Sequence, residues 1–367
     1  MIREGKIGFA EGFALLFLSN LARIFLADPA IAIEVGKNMA WALYAIGTVV
    51  SLFEFWIIAS LMRRHQNVTI VEASEQILGP YLGLLCNLVF AAFFIYEESI
   101  LMRRYSEAIL TAALPDTPIS LVLMMPLITG IVACFYGLET MARVARVSVT
   151  FVVLGLVILF VSVTRFVDVT NIYPLWSMDA KTILIESVMK YSLVSEGLLA
   201  AVIVQTFGGW QYFWRSGITA LSLGGVIKLI VALLILLTFG VHVASEELLP
   251  FFNLSRLVTF GRFFQRIESV FLLTWAMVGF IKLAVTFYAA VVILARVFRL
   301  PDFRPLLWIV SLLCFIVSIL PPDLPTAVKL DVARLRTWTL MPTVLLPLLL
   351  LVLSKVRKVG EQPEDGT

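Results

Sequence analysis

Ten apolar runs, each about as long as a bilayer is thick, constrain this chain more than any other feature. A helix that crosses the hydrocarbon core needs about 20 predominantly apolar residues. Runs of about that length, the eighth the longest and the ninth the shortest, lie at residues 9–27, 39–61, 81–101, 119–137, 148–165, 183–203, 216–240, 267–295, 306–320 and 338–354. Because a bilayer offers no partner for backbone polar groups, such runs predict helices. We therefore predict an all-α polytopic membrane protein of about ten transmembrane helices.

The composition leaves no room for a soluble domain. Hydrophobic residues make up 60% of the chain and charged residues 14%, whereas soluble domains carry about 45–50% and about 25%. We predict a single transmembrane domain over residues 1–358, followed by a disordered polar tail at 359–367. The net charge of +3 argues against nucleic acid as a partner and leaves the lipid bilayer as the expected surroundings.

Short basic loops indicate the orientation. An even number of spans places both termini on one side, and the segments 62–65 (MRRH), 296–299 (RVFR) and 355–358 (KVRK) all fall on that side. Basic short loops favour the cytoplasm, so we predict cytoplasmic termini. The loop at 241–266 is aromatic and basic, which predicts an amphipathic helix at the outer interface, either a lid or docking surface or a simple anchor.

Several ionisable residues fall within the apolar runs, where they are costly and tend to face a cavity or a partner. They are Glu11, Arg23, Glu54, Glu97, Glu98, Lys190, Glu196, Lys228, Glu268 and Lys282. Four of these could lie near an interface, where they would be solvated: Glu11, Lys228, Glu268 and Lys282. The third span contains two adjacent acids, Glu97 and Glu98, and one of them could pair with Arg103 or Arg104.

The sixth span contains the most informative polar group. Ser195, Glu196 and Gly197 lie consecutively near its middle. Glycine weakens a helix, and the two polar side chains need partners at that depth. A discontinuous helix whose free backbone groups line a cavity would explain all three residues. The alternative is an intact helix in which Glu196 bonds to a neighbour.

The first span has a similar group at residues 19–23 (SNLAR), with Asp28 and Pro29 beyond it. Arg23 could bind the carboxylate of a ligand through its two-pronged guanidinium. It could equally pair with a glutamate of another span and hold helices together.

No enzyme, cofactor or metal signature is present in the sequence. The patterns HExxH, CxxC, GxSxG and the phosphate-binding loop are missing. The three cysteines, Cys86, Cys134 and Cys314, lie singly in apolar runs and are expected to pack there. The two histidines are about 177 positions apart in the sequence. We therefore predict a non-enzymatic protein without cofactors.

Four segments resemble the B subunits of bacterial spore germinant receptors, a branch of the amino acid–polyamine–organocation transporter superfamily. The segment 114–119 (LPDTPI) is similar to the family's turn before the fourth span, and 137–143 (GLETMAR) to its segment after that span. The segment 171–174 (NIYP) follows the fifth span, and 265–275 (QRIESVFLLTW) resembles the family's entry to the eighth span. The later Lys282 and Tyr288 fit the same helix.

The resemblance implies a LeuT-like fold, a 5+5 inverted repeat with broken first and sixth helices. It also implies binding of a small germinant, usually an amino acid, between the first, third, sixth and eighth spans. Such a subunit works beside a receptor A subunit and a lipoprotein C subunit in the endospore inner membrane. The alternative is an amino acid permease of the same fold. Ala22 and Ile24 stand where the family usually has glycines in the first-span break.

The candidate ligand-binding residues follow from the polar groups within the spans and from the family resemblance. One of them, Thr274, was placed by depth, because about 10 residues from Phe264 reach the middle of a core about 30 Å thick. Its hydroxyl could donate to a ligand carboxylate or bond back to the carbonyl four residues earlier. The full set comprises Asn20, Ala22, Arg23, Ile24, Tyr96, Ser195, Glu196, Gly197 and Thr274.

Overall fold

Helices form nearly all of the protein in a computed structural model that describes residues 5–66, 68–191, 195–258 and 268–359. Within these ranges there is no β-strand, and an isolated bridge joins Ile7 to Phe207. The helices are α1 Phe9–Leu21, α2 Asp28–Gly36, α3 Ala40–Arg64, α4 Ile70–Leu78, α5 Pro80–Ala112, α6 Ile119–Tyr136, α7 Leu138–Val163, α8 Ala180–Glu186, α9 Glu196–Val202, α10 Trp210–Glu246, α11 Pro250–Arg256, α12 Glu268–Val297, α13 Arg304–Ile319 and α14 Leu324–Val356.

Local sequence explains where several helices begin. At the start of α4, Glu72 accepts the backbone N–H of Thr69 at 2.9 Å, which is one half of a capping box. Asp179 and Asp323 each accept a backbone N–H at the start of α8 and α14. Gly137, at a φ of 87° that favours glycine, separates α6 from α7.

Seven helices in the described residues are long and apolar enough to cross a membrane. They are α3, α5, α6, α7, α10, α12 and α14. The spans predicted at 9–27, 183–203 and 306–320 fall on shorter helices, because the first two are interrupted and α13 has 16 residues. Large apolar side chains such as Phe151 and Trp308 point outward. An outward apolar surface of this extent needs lipid as its solvent, so the chain is an integral membrane protein.

The first span is broken, as the resemblance implied. Helix α1 ends at Leu21, the residues Ala22–Phe25 form a 3-10 turn, and α2 begins at Asp28. Pro29 lies in the first turn of α2, where its missing N–H costs nothing. The turn leaves the Ala22 carbonyl free of the helix, and the Tyr105 hydroxyl donates to it at 2.6 Å.

The sixth span consists of two described pieces. Helix α8 passes into a π-helical turn over Ser187–Tyr191, and α9 starts at Glu196 with Ser195 as its N-cap residue. Residues 192–194 lie outside the described part of the chain. Helix α9 ends after two turns, and a 3-10 turn at Val204–Thr206 follows.

The tenth span begins earlier than the predicted residue 338. Helix α14 starts at Leu324 and continues to Val356. The sequence hid its first turns because they contain Asp331, Arg334 and Arg336, which together resemble a loop. In the structure Asp331 and Arg336 are buried and paired with each other, so these two charges lie inside the helix bundle, whereas Arg334 is exposed.

The predicted amphipathic segment at 241–266 is partly described. Helix α10 bends at Gly240 and continues to Glu246, and α11 then covers Pro250–Arg256. The ring of Phe251 is buried against Phe25 and Phe271, with centroids 5.5 and 5.2 Å away. Helix α11 therefore packs on the first and eighth spans. Residues 259–266, with the rest of this prediction, lie outside the described residues, as do the tail residues 360–367.

Helix α12 is the central helix of the bundle. It is the most buried of the seven long helices and contacts α1, α5, α6 and α7. Helix α10 packs along α1, α2 and α3 on another side of the bundle. The two breaks therefore lie between long helices that can present side chains to them.

Candidate functional site

Five polar side chains meet at the two helix breaks and form a lysine–glutamate cluster. Its members are Ser19, Glu97, Ser195, Glu196 and Lys282. The Lys282 ammonium donates to the Ser195 hydroxyl at 2.8 Å and to Glu196 Oε1 at 2.9 Å. The same ammonium lies 3.2 Å from Glu97 Oε1.

Hydroxyl groups complete the cluster. The Ser19 hydroxyl donates to Glu196 Oε1 at 2.8 Å, and the Ser195 hydroxyl donates to Glu97 Oε1 at 2.8 Å. Each of these two carboxylate oxygens therefore accepts from a hydroxyl and lies beside the ammonium. A buried charge is tolerated when it is paired and hydrogen-bonded in this way.

The elements that carry these side chains come from four different spans. Lys282 lies at the midpoint of α12, and Glu97 lies one residue from the midpoint of α5. Glu196 is the first residue of α9, and Ser19 lies in the last turn of α1. The first, third, sixth and eighth spans thus meet at mid-membrane depth.

A second group, the arginine–aspartate cluster, lies beside the first. It consists of Arg23, Asp28, Arg104, Asp331 and Arg336. Arg23 donates to both oxygens of Asp331 at 2.9 Å, and Arg104 donates to one of them at 2.7 Å. Arg336 bonds to Asp331 at 3.0 Å and also to Asp28. This cluster joins the first, third and tenth spans.

Arg23 connects the two clusters. Its second guanidinium nitrogen lies 3.7 Å from Glu97 Oε1. Its side chain is 24% exposed, whereas that of Arg104 is 1% exposed. Arg23 therefore pairs with acids of other spans, as one of the two sequence interpretations held, and still reaches accessible space at the break.

The structure brings some of the predicted site residues together and places others apart. Ser195 and Glu196 come together in the lysine–glutamate cluster, and Tyr96 is partly buried next to Glu97 on α5. Asn20 is buried, with its amide oxygen against Gly224 of α10. The remaining first-span candidates, Ala22 and Ile24, have buried side chains, and Ala22 offers its carbonyl to Tyr105.

Gly197 packs against α3. A methyl group at this glycine would meet the side chains of Ile58 and Phe55 on α3 at 3.2 and 3.7 Å. This residue therefore provides close packing between the sixth and second spans.

Thr274 does not join the other candidates. Its hydroxyl donates to the Val270 carbonyl four residues earlier at 2.8 Å, and it packs directly against Gly155 of α7. The hydroxyl therefore makes the back-bond that the sequence allowed, and a ligand role for Thr274 stays a prediction. The depth estimate started from Phe264, but the midpoint of α12 is Lys282, two turns further on and about 12 Å away along the axis.

Two other sequence interpretations are also corrected. Arg103 pairs with Glu107, and Arg104 with the two aspartates, so neither takes a glutamate at 97 or 98. Lys282 is 2% exposed at the centre of the bundle and does not reach an interface. Sequence reasoning missed this residue, although its position midway along the eighth apolar run was a usable signal.

Potential metal and reactive sites are few. The described residues contain no group of three His, Cys, Asp or Glu side chains that could hold a metal ion. Cys86, Cys134 and Cys314 are buried and free. A cavity of about 220 Å³ between α5, α6 and α12 is lined almost entirely by apolar groups, including Tyr105 and Trp275.

Comparison with known sequences gives a family-level match. The profile of a family described as "Spore germination protein" matches residues 6–326. Two Bacillus subtilis (strain 168) proteins are similar. Spore germination protein KB is 23% identical over 304 residues, which cover 81% of this chain and 80% of the relative. Spore germination protein YndE is 26% identical over 368 residues, which cover 97% and 98%.

Comparison with solved structures shows the fold. A Na+-coupled sialic acid symporter in a substrate-bound outward-open state matches with a TM-score of 0.65 and 13% identity, covering 97% of this chain and 79% of the other. Mhp1, a nucleobase-cation-symport-1 family transporter in a closed conformation, matches with a TM-score of 0.63 and 13% identity, covering 96% and 94%. The predicted LeuT-like transporter fold is thereby confirmed.

Proposed function

This chain belongs to the spore germination protein family, and from that premise we propose that it binds a small germinant, an amino acid, at its helix breaks and so triggers spore germination. The single observation that carries the proposal is the meeting of four spans in the lysine–glutamate cluster. Charged groups at membrane depth are retained where they serve a cavity, a pathway or a partner.

The geometry supports a link between ligand binding and helix position. Ser19 and Glu196 are bonded directly across the two broken helices. A ligand that competes for either group would change how α1 and α9 are held against each other. A ligand shifts a conformational equilibrium only through different affinity for the two states, and a contact that exists in one state supplies that difference. Arg23, exposed at the same break, offers a second point of contact.

The partners and the location in this proposal come from the resemblance. We place the chain in the endospore inner membrane, beside germinant receptor A and C subunits. The names of the relatives, which are spore germination proteins, support this assignment. The family and the transporter neighbours are permease-like and not enzymes, which supports a binding role without catalysis.

Thermal unfolding of the purified chain with each of the twenty amino acids tests the binding step. We expect one or a few to raise the unfolding midpoint, and Glu196→Gln to abolish the rise. The matched control is Glu186→Gln on the other half of the same span, where the glutamate pairs with Lys190. An unchanged ligand response in Glu196→Gln, or no response of the natural chain to any amino acid, would count against the proposal.

A second candidate function is secondary transport of an amino acid. The observation that favours it is the likeness to two transporters over nearly the whole chain. Uptake of labelled amino acid by proteoliposomes that contain this chain alone separates the two functions. We expect binding without uptake for a receptor subunit, and concentrative uptake for a permease. Spores that carry Glu196→Gln should germinate slowly in response to the amino acid only if the receptor function holds.

A further inference from the structure

One cation near the helix breaks has no partner among the described residues. Lys228 lies in the middle of α10, on the same face as the buried residues Gly224 and Ala232, four positions away on either side. Unlike them it is partly exposed, so accessible space reaches this point of an otherwise closed face. It forms no hydrogen bond and no ion pair with any residue in the described ranges.

The other cations around the breaks are all neutralised. Lys282 contacts two glutamates, and Arg23 contacts Asp331 together with a glutamate. Arg104 and Arg336 each contact both aspartates of the arginine–aspartate cluster. Lys228 is thus the exception among five cations, which matters because an unpaired charge at membrane depth is costly.

The acid that attracts Lys228 most strongly already has its own partners. Glu196 is the charged neighbour that acts most strongly on Lys228, ahead of Arg23 and Lys282. The Oε1 atom of Glu196, however, already accepts from Lys282 and Ser19. Lys228 therefore lies within electrostatic range of the cluster without belonging to it.

The position of Lys228 also fits the first break. Gly224, one turn before it, packs against the amide of Asn20, the second-last residue of α1, and α10 contacts both halves of the broken span. Long side chains on a helix lean towards its N-terminus, which is the direction in which this contact lies from Lys228. Its ammonium can donate up to three hydrogen bonds and has no acceptor function.

We propose that Lys228 binds the carboxylate of the ligand, so that the site selects small molecules with a free carboxylate group. The inference rests on the function proposed above and names the chemical class that the site takes. A carboxylate supplies the charge and the acceptor atoms that the ammonium lacks, and the low dielectric of the bundle interior strengthens their attraction. An amide or amine analogue would leave the lysine unpaired.

Ligand pairs that differ only at the carboxylate test the selection. For each amino acid that raises the unfolding midpoint of the natural chain, its carboxamide is titrated in parallel. We expect the carboxamide to bind at least tenfold more weakly. Lys228→Met should weaken binding of the amino acid at least tenfold and remove the preference for the acid over the carboxamide. Lys228→Arg should keep that preference. The matched control, Lys190→Met, removes a lysine that pairs with Glu186 and should leave binding unchanged.

A ligand-free measurement separates this inference from the proposed function. Reductive methylation of the natural chain with formaldehyde, read by mass spectrometry, should modify Lys228 and spare the enclosed Lys282. An amino acid that binds should protect Lys228. Modification of neither lysine, equal binding of acid and carboxamide, or unchanged binding by Lys228→Met would overturn the inference. If no amino acid in the panel binds, the proposed function fails, while the methylation pattern still decides whether Lys228 is open.

Discussion

The two ion clusters differ in the kind of cation they use and in how completely they are satisfied. In the arginine–aspartate cluster, three guanidinium groups surround two carboxylates, and Asp331 receives bonds from all three. In the lysine–glutamate cluster, one ammonium serves two carboxylates with the help of two hydroxyls. The second oxygen of Glu97 is buried there and accepts no hydrogen bond from the part of the chain that the structure describes.

This difference suggests different roles for buried charge in one bundle. Guanidinium groups keep their proton and hold carboxylates through planar, two-pronged contacts, which favours a fixed arrangement. An ammonium is a point charge on a flexible stem, and the hydroxyls beside it can rotate. We therefore expect the arginine–aspartate cluster to hold the helices in place. The lysine–glutamate cluster is the one that can exchange a contact for a ligand.

Loss of one aspartate should have the largest effect on stability. Asp331→Asn leaves Asp28 as the one carboxylate of a cluster with three guanidinium groups, and breaking a buried ion pair costs about 3–5 kcal/mol. Asp323→Asn is the matched control, because Asp323 is an exposed cap at the start of the same helix. Asparagine also caps well, so the control should change stability by a few tenths of a kcal/mol at most. Thermal unfolding in detergent compares the two, and equal shifts would contradict a holding role.

The lysine–glutamate cluster should tolerate neutralisation better. Lys282→Met alone leaves two buried carboxylates facing each other and should cost about 3 kcal/mol. Adding Glu196→Gln should recover more than half of that loss, because replacing both members of a buried pair is often close to neutral. The double-mutant cycle measures this coupling directly. A double variant as unstable as Lys282→Met would show that this cluster, too, is a rigid structural element.

The apolar runs predicted the membrane class, because runs of bilayer length have few other solutions, and the resemblance of four segments to a known family implied the LeuT-like fold. It also identified the sixth-span residues Ser195 and Glu196 from their cost at mid-membrane depth. It did not find the partner, Lys282, because a single lysine in a long apolar run also fits a position near an interface. Depth within a span decides between these alternatives, and depth depends on helix ends that the sequence places only approximately.

The largest difference in span boundaries has the same physical cause. The charges of Asp331 and Arg336 looked like a loop, since nothing in the local sequence shows that their partners come from the first and third spans. Long-range pairing neutralises them and extends α14 by several turns. For Thr274 the difficulty is local, because a hydroxyl that bonds to its own helix, as this one does, looks the same in sequence as one that faces a ligand.

Two adjacent acids on α5 show a similar contrast between a paired and an unpaired group, with a smaller expected effect. Glu97 contacts Ser195 and Lys282, whereas Glu98, 2% exposed, accepts no hydrogen bond from the described residues. An ionised, unpaired carboxylate would be too costly at this depth, so we expect Glu98 to hold its proton. Glu98→Gln should then change stability by less than about 1 kcal/mol, and Glu97→Gln should cost about 1.5–3 kcal/mol as a charge-assisted bond is lost.

Carbodiimide chemistry provides an independent check on Glu98. Dicyclohexylcarbodiimide reacts with protonated carboxyl groups in apolar surroundings, so mass spectrometry should find the adduct on Glu98 and not on Glu97 or Glu196. Labelling of Glu196 with no labelling of Glu98 would reverse the assignment of charge within the bundle.

If both clusters keep their charges near neutral pH, acid sensitivity should arise outside them, and His65 is the clearest source. This residue follows α3, and its ring nitrogen Nε2 lies 2.8 Å from the Ser354 hydroxyl. Burial lowers the pKa of His65 below its usual 6.5, and the neighbouring Arg64 acts in the same direction, while a hydrogen bond to Gln76 opposes them.

A lowered pKa means that the unfolded chain binds the proton more readily, so stability falls as the pH drops below about 6.5 and levels off below the folded value. The unfolding midpoint should therefore decrease between pH 7.5 and 5.5, by no more than ~2 °C for a single titrating group. His65→Gln should flatten this decrease, whereas His242→Gln, which removes the exposed second histidine, should not. A pH response that survives in His65→Gln would place the titrating group inside one of the clusters and undo the contrast between them.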